Sequence, residues 1–158
     1  MLETPEVPEG LMQVISFCLG SENFALDILD VQEIIREQQM TRVPGSCSVG
    51  GVIHLRGKIL PVITLRDRFG FAAVPGATPR IVVVQKEAAI AGFLVDSVPE
   101  VLRFAGQDVR PLQRLESESS DVVSGAVMAG DRLLMLLDST RLLRAAQSAH
   151  VLAPASSD

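Results

Sequence analysis

Apolar and polar positions alternate from Met12 to Leu19, with Ile15, Phe17 and Leu19 on one side. That period of two predicts a half-buried strand. Gly20 to Asn23 reads as a turn, and the alternation resumes at Phe24, Leu26 and Ile28, which makes a β-hairpin. Val31 to Ile35 is apolar and mostly β-branched, so a further short strand or turn is expected. Residues 44–51 are rich in Gly and Ser and read as a loop or an irregular short helix. A second hairpin joins Gly51–Leu55 to Ile59–Ile63. Its tip is Arg56-Gly57-Lys58, where Gly57 can take the positive φ of a tight turn. Pro61 has no N–H to give a ladder and is expected at an edge or a bulge. Thr64-Leu65-Arg66-Asp67 reads as a capping box opening a short helix, which Gly70 stops. Residues 72–79 have the composition of a linker.

The second half repeats the style. Strands are expected at Ile81–Val84, Ile90–Val95 and Val101–Phe104. Residues 105–121 form a polar connection of 17 residues, long enough to be functional or mobile. Val122–Met128 and Leu133–Leu137 predict a hairpin around Ala129-Gly130-Asp131. Asp138 is placed to cap a terminal helix whose buried stripe is Leu142, Leu143 and Ala146. Residues 1–10 and 148–158 read as flexible tails.

The halves align with each other. An offset of 67 carries Val14–Phe17 onto Ile81–Val84 and Val31-Gln32-Glu33-Ile34-Ile35 onto Val98-Pro99-Glu100-Val101-Leu102. An offset of 74 carries Gly51-Val52-Ile53 onto Gly125-Ala126-Val127 and Thr64 onto Asp138. The matched Gly, Glu and cap positions go beyond what two strand-rich halves share by apolar pattern alone. They predict two tandem, intertwined subdomains, approximately 11–75 and 80–147, each of about five short strands closed by a small helix. Repeats of roughly 60 residues are marginal as independent cores, so the two should pack together and make their seam a candidate groove.

Composition narrows the function. The chain has 158 residues, 47% of them hydrophobic, and a formal charge of −5 from 14 basic and 19 acidic side chains. With no cluster of cations and no Trp or Tyr, nucleic acid is not the expected partner. No apolar run approaches the ~18 residues that span a bilayer, and the acidic, proline-broken first ten residues are unlike a signal peptide. Two cysteines, Cys18 and Cys47, read as a small core residue and a loop residue, and a cytoplasmic setting is expected.

Catalytic and metal patterns are weak. His54 and His150 lie far apart, and no Cys/His cluster has metal-ligand spacing, so no catalytic residue, metal or cofactor is expected. Residues 125–132 lack the Lys-Ser/Thr of a phosphate loop. Leu137-Asp138-Ser139-Thr140 resembles an aspartic-protease loop, but that chemistry needs a second Asp, and the repeat supplies Thr64 instead. Asp27, Asp30 and Asp96 flank turns and read as solvated. Read from the residues alone, Arg56 is a solvated turn cation, and Val31 and Ile34 are core positions.

The segments Phe17 to Ile28, Val31-Gln32-Glu33-Ile34-Ile35, Val43-Pro44, Gly51 to Ile63 and Leu65-Arg66 occur in that order in the first half. Val95 to Leu102, Gly125 and Leu134 to Leu143 follow in the second. Over about residues 12–147 the chain resembles the CheW family of bacterial chemotaxis coupling proteins. The most specific piece is Gly51-Val52-Ile53-His54-Leu55-Arg56-Gly57-Lys58-Ile59-Leu60-Pro61-Val62-Ile63. The resemblance implies an all-β fold with short helices, built as two SH3-like five-stranded barrels. It also implies a non-enzymatic cytoplasmic adaptor, recruited to receptor arrays without entering the membrane. Its implied partners are the cytoplasmic tip of methyl-accepting chemoreceptors and the regulatory domain of a CheA-type histidine kinase. Carried over by position, Val31, Glu33, Gly51, Arg56 and Gly57 are the partner-binding residues. His54 stands where the family commonly has Asn, and Thr64 where it commonly has Asp. Other readings are a CheW-like scaffold of a different chemosensory system, a structural β-barrel dimer, and a small hydrolase using Asp138.

Overall fold

A computed structural model describes residues 10–42, 51–72, 76–97, 99–111 and 122–149. Among them are β1 (Leu11–Leu19), β2 (Glu22–Asp27), β3 (Val31–Arg36), β4 (Gly51–Leu55), β5 (Lys58–Thr64) and α1 (Leu65–Phe69). The second half supplies β6 (Arg80–Lys86), β7 (Ala89–Val95), β8 (Glu100–Ala105), β9 (Arg110–Pro111), β10 (Val123–Ala129), β11 (Arg132–Leu137) and α2 (Ser139–Ala149). Single 3-10 turns lie at Ile28–Asp30 and Gly106–Asp108. The fold is all-β with short helices, as the alternation predicts. The expected features of residues 1–9, 43–50, 112–121 and 150–158 lie outside the described residues.

The strands form a six-stranded sheet, β8-β1-β2-β11-β10-β9, and a five-stranded sheet, β3-β6-β7-β5-β4. Neither comes from one half. Hairpin β1–β2 pairs with β8 on one side and, in parallel, with β11 on the other. Hairpin β6–β7 pairs with β3 and, in parallel, with β5. The two repeats therefore exchange their first hairpins. The spans 11–75 and 80–147 divide the sequence repeat, and each sheet takes strands from both. The physical reason lies in hairpins apolar on both faces. In β1, Val14 points into one cluster and Ile15, Phe17 and Leu19 into another. A hairpin buried on both sides needs neighbours from both halves.

Three apolar clusters result. Val14, Ala25, Phe104, Val127, Leu134 and Leu136 come only from the six-stranded sheet and form one cluster. Ile53, Leu60, Val62, Ile81, Val83 and Leu94 do the same in the other sheet. The third cluster lies between the sheets. Phe17, Phe24 and Leu26 meet Val82, Phe93 and Val95 there, with Leu65 of α1 and Leu142, Leu143 and Ala146 of α2. The expected seam is thus a core. The helix stripe read from the sequence is buried in it.

The repeat is physical as well as sequential. A Cβ on Gly51 would stand 2.3 Å from the Thr41 carbonyl oxygen, and one on Gly125 would stand 2.9 Å from that of Arg110. These glycines let a returning chain bridge to the next strand, as Thr41 to Val52 in one sheet and as β9 to β10 in the other. The six-stranded sheet gains its extra strand in this way. β9 falls inside the polar connection read from 105 to 121.

Other expectations need correction. Pro61 sits in β5, which has neighbours on both sides. It costs no ladder bond, because the N–H and C=O of the opposed Val52 both bond to Thr41, and pairing to β7 begins only at Val62. Thr64 has the extended backbone of a helix cap, but its side chain makes no cap bond; it is buried and paired with Leu94. Gly70 does end α1, at φ 79, with its N–H on the Asp67 carbonyl and that of Phe71 on the Arg66 carbonyl. The tip of the second hairpin is Arg56-Gly57 alone, since Lys58 is already paired with Leu55.

Candidate partner-binding site

β3 is an edge strand, and its pairing with β6 slips between Val31 and Glu33. Val31 opposes Val84 while Glu33 opposes Val83, so Gln32 is the extra residue of a β-bulge. Directly opposed residues share a face. Val84 belongs to the seam cluster and Val83 to the barrel interior. The bulge therefore separates two residues that a regular strand would place together. Val31 is half-buried against the seam, and Ile34, opposite Val82, shares that face at 38% exposure. Glu33 lies on the opposite face, with Val83.

Arg56 meets Glu33 there. Arg56 and Gly57 are the two central residues of the β4–β5 turn, with φ of 51 and 81. Two positive values match the type I′ turn that suits hairpin twist. Gly57 takes its value freely and would have open space around a Cβ, whereas Arg56 holds a conformation uncommon for a residue with a side chain. Its guanidinium grips Glu33 with both ends: Nη1 donates to Oε2, and Nη2 donates to Oε1 at 2.7 Å. The side chains are 69% and 21% exposed. The hydrogen bond from Arg56, reinforced by its charge, lowers the Glu33 pKa below the ordinary carboxylate range, and the same bond raises that of Arg56. Arg56 is thus a paired cation, and the pair ties edge strand β3 to the tip of the β4–β5 hairpin.

The structure brings Glu33, Arg56 and Gly57 together, with Val31 on the adjoining face of the same strand. Gly51 stands at the other end of the hairpin, buried against Thr41. Its φ of 144 and the absence of a Cβ give it a clear structural task. On the outer face of β4–β5, His54 opposes Ile59, which is 70% exposed. Ile34, read from the sequence as a core position, is exposed on the edge strand, and Ile59 is likewise a surface apolar residue.

The second half carries a counterpart. Arg132 Nη1 donates to Glu100 Oε2 at 3.0 Å, beside exposed Val101, Met128 and Leu133. Glu100 is Glu33 shifted by 67, so the repeat alone could have found it. Arg132 is not. It matches Lys58 at the offset of 74, so the arginine has moved to the other side of the turn while the clamp persists.

Asp96 overturns its solvated reading. It is 5% exposed and accepts from the Gly20 N–H at 3.0 Å and from Arg66 Nη1 at 3.1 Å. One carboxylate at the end of β7 thereby holds the β1–β2 turn and α1. Asp27 caps its own 3-10 turn through the Leu29 N–H at 2.9 Å. Asp138 accepts from the Arg141 N–H at 3.1 Å, so its carboxylate serves as the helix cap. Cys18 is half-buried and its Sγ donates to Asn23 Oδ1 at 3.4 Å; Cys47 lies outside the described residues. Among the described residues, no group of three or more His, Cys, Asp and Glu gathers as a metal site. No described helix is long and apolar enough to cross a membrane.

With this geometry in place, comparison with known proteins is informative. A family model described as the CheW-like domain matches residues 13–147. The chain is 34% identical over 138 residues to the chemotaxis protein CheW of Helicobacter pylori, covering 86% of this chain and 84% of that one. It is 32% identical over 142 residues to the chemotaxis protein CheW of Klebsiella aerogenes, covering 88% and 86%. Its structure superposes on the crystal structure of the scaffolding protein TtCheW from Thermoanaerobacter tengcongensis with a TM-score of 0.73. Identity there is 30%, over 80% of this chain and 88% of that one.

Proposed function

The chain belongs to the CheW-like family, and on that premise we propose that it is a non-enzymatic adaptor coupling chemoreceptors to a histidine kinase. In this reading it joins the cytoplasmic tip of methyl-accepting receptors to the regulatory domain of a CheA-type kinase, in the cytoplasm, at a receptor array. Coupling of this kind makes and breaks no bond. It needs surfaces of fixed shape held at a fixed spacing.

The observation that carries the proposal is the Arg56–Glu33 clamp beside the exposed edge of β3. A rigid hairpin tip with a bidentate cation, next to half-exposed Val31 and Ile34, suits an amphipathic helix laid along the strand. Val31, Glu33, Arg56 and Gly57 form this surface. Gly51 contributes by holding the hairpin on Thr41 and not by direct contact. The second clamp, on the other barrel, offers the kinase a separate face, which is what a bridge requires.

Titration calorimetry against the regulatory domain of the CheA-type kinase from the same cell tests the reading. Saturable one-to-one binding is expected. Absence of binding to every such kinase in that cell would remove the coupling function. Intrinsic fluorescence is a poor substitute, since the chain has no Trp or Tyr.

A further inference from the structure

Arg36 and Arg80 stand directly opposite each other on β3 and β6. Opposed residues on paired strands have Cα atoms about 5 Å apart, and like charges there repel. Nothing in the described chain neutralises them. Arg80 Nη1 donates to the Pro79 carbonyl at 3.0 Å, and among the described residues no ion pair joins either arginine to an acid. The nearest carboxylate along β7 from the Arg80 partner Val95 is Asp96, which is already held by Arg66 and the Gly20 N–H. A chain with a charge of −5 thus sets two arginines opposite each other with no ion-pair partner among the described residues.

Their position gives this meaning. The bulge at Gln32 puts Val31, Ile34 and Arg36 on one face of the edge strand, because their partners Val84, Val82 and Arg80 alternate regularly along β6. The row runs from half-buried apolar through exposed apolar to cationic. An occupant that matches it is a helix with an apolar stripe and an acidic residue toward one end.

We propose that Arg36 and Arg80 form a carboxylate receptor at the end of the β3 face, which takes an acidic side chain of the partner helix lying on Val31 and Ile34. Two guanidinium groups closing on one carboxylate form charge-assisted, directional hydrogen bonds. Placing them at one end of the row fixes the direction in which the helix lies, which apolar contact alone does not do. The inference rests on the adaptor reading for the identity of the partner, a receptor-tip helix, and adds its chemistry and polarity.

The test is titration of the full chain with a receptor-tip hairpin fragment from the same cell, and separately with the kinase regulatory domain, at low and high salt. The Arg36→Gln/Arg80→Gln double variant is expected to bind the receptor tip about tenfold more weakly and to lose most of the salt dependence. It is expected to bind the kinase domain unchanged. Its melting temperature should not fall, because the substitution removes a repulsion. Arg36→Glu should bind poorly and be rescued by a receptor fragment whose facing acid is changed to Lys. Wild-type affinity of the double variant for the receptor tip would overturn the inference. If Val31→Glu still weakened that binding, the adaptor reading would stand without it. Equal losses toward receptor and kinase would also overturn it. A wild-type chain that binds the kinase but no receptor tip would overturn both this inference and the receptor half of the adaptor reading.

Discussion

At the scale of the residue, Arg56 shows how a local conformation and a distant partner depend on each other. A left-handed backbone position is disfavoured for arginine, and the Glu33 carboxylate holds it from another strand. Glu33 has a lowered pKa, so its favourable contribution is present at neutral pH and is lost as pH falls through that lowered value. Glu33→Gln should therefore be slightly less stable than wild type at neutral pH, with the difference vanishing in acid below the ordinary carboxylate range. Thermal melts across that window check the sign. The margin should be small because both groups meet solvent. Arg56→Glu should melt within a few degrees of wild type yet lose receptor or kinase binding by at least about tenfold. Arg56 and Glu33 were each visible in the sequence as family-like positions. Their pairing was not, because it depends on a bulge that inverts the facing of Glu33, and alternation alone places Val31 and Glu33 on the same face.

At the scale of the element, the two glycine approaches make a paired prediction. Gly51→Ala meets a carbonyl at 2.3 Å with φ at 144, so it should destabilise by about 2–4 kcal/mol and open the Thr41–Val52 bridge. Gly125→Ala meets one at 2.9 Å without the positive φ and should cost less. Urea unfolding ranks the two, and exchange of the Thr41 amide reports the bridge. Asp96→Ala would leave the Gly20 N–H and the partly buried Arg66 without their acceptor, at a cost of about 2–4 kcal/mol in the same experiment. Hairpins were the most legible elements, since period-two alternation and Gly at the turns state both strands and their connection. The Thr64 capping box was misread because a residue paired into β5–β7 has its side chain buried before the helix begins. Asp96 was misread because a turn-flanking aspartate looks the same in sequence whether water or Arg66 answers it.

At the scale of the whole molecule, the exchange of first hairpins makes the two barrels inseparable. Fragments 1–75 and 76–158 should each stay unfolded alone and regain β-structure on mixing, as circular dichroism would show. Independent folding of either would contradict the exchanged topology. Phe93→Ala, in the middle of the seam and fully buried, should cost about 3–5 kcal/mol and unfold both sheets in one transition. The repeat was legible, but which strands pair across the halves was not. Matching offsets show which segments are equivalent, but say nothing about which copy of a hairpin a given strand pairs with. That choice is made by burial on both faces of β1–β2 and β6–β7.

The central claim, that this chain joins a receptor to a kinase, is tested most directly by co-sedimentation. Membranes carrying the chemoreceptor of the same cell are mixed with its CheA-type kinase, with and without the purified chain, and the pelleted kinase is measured. The account predicts that kinase pelleting rises saturably with added chain and falls back with Arg56→Glu. Kinase pelleting that is unchanged by any amount of the chain would contradict it.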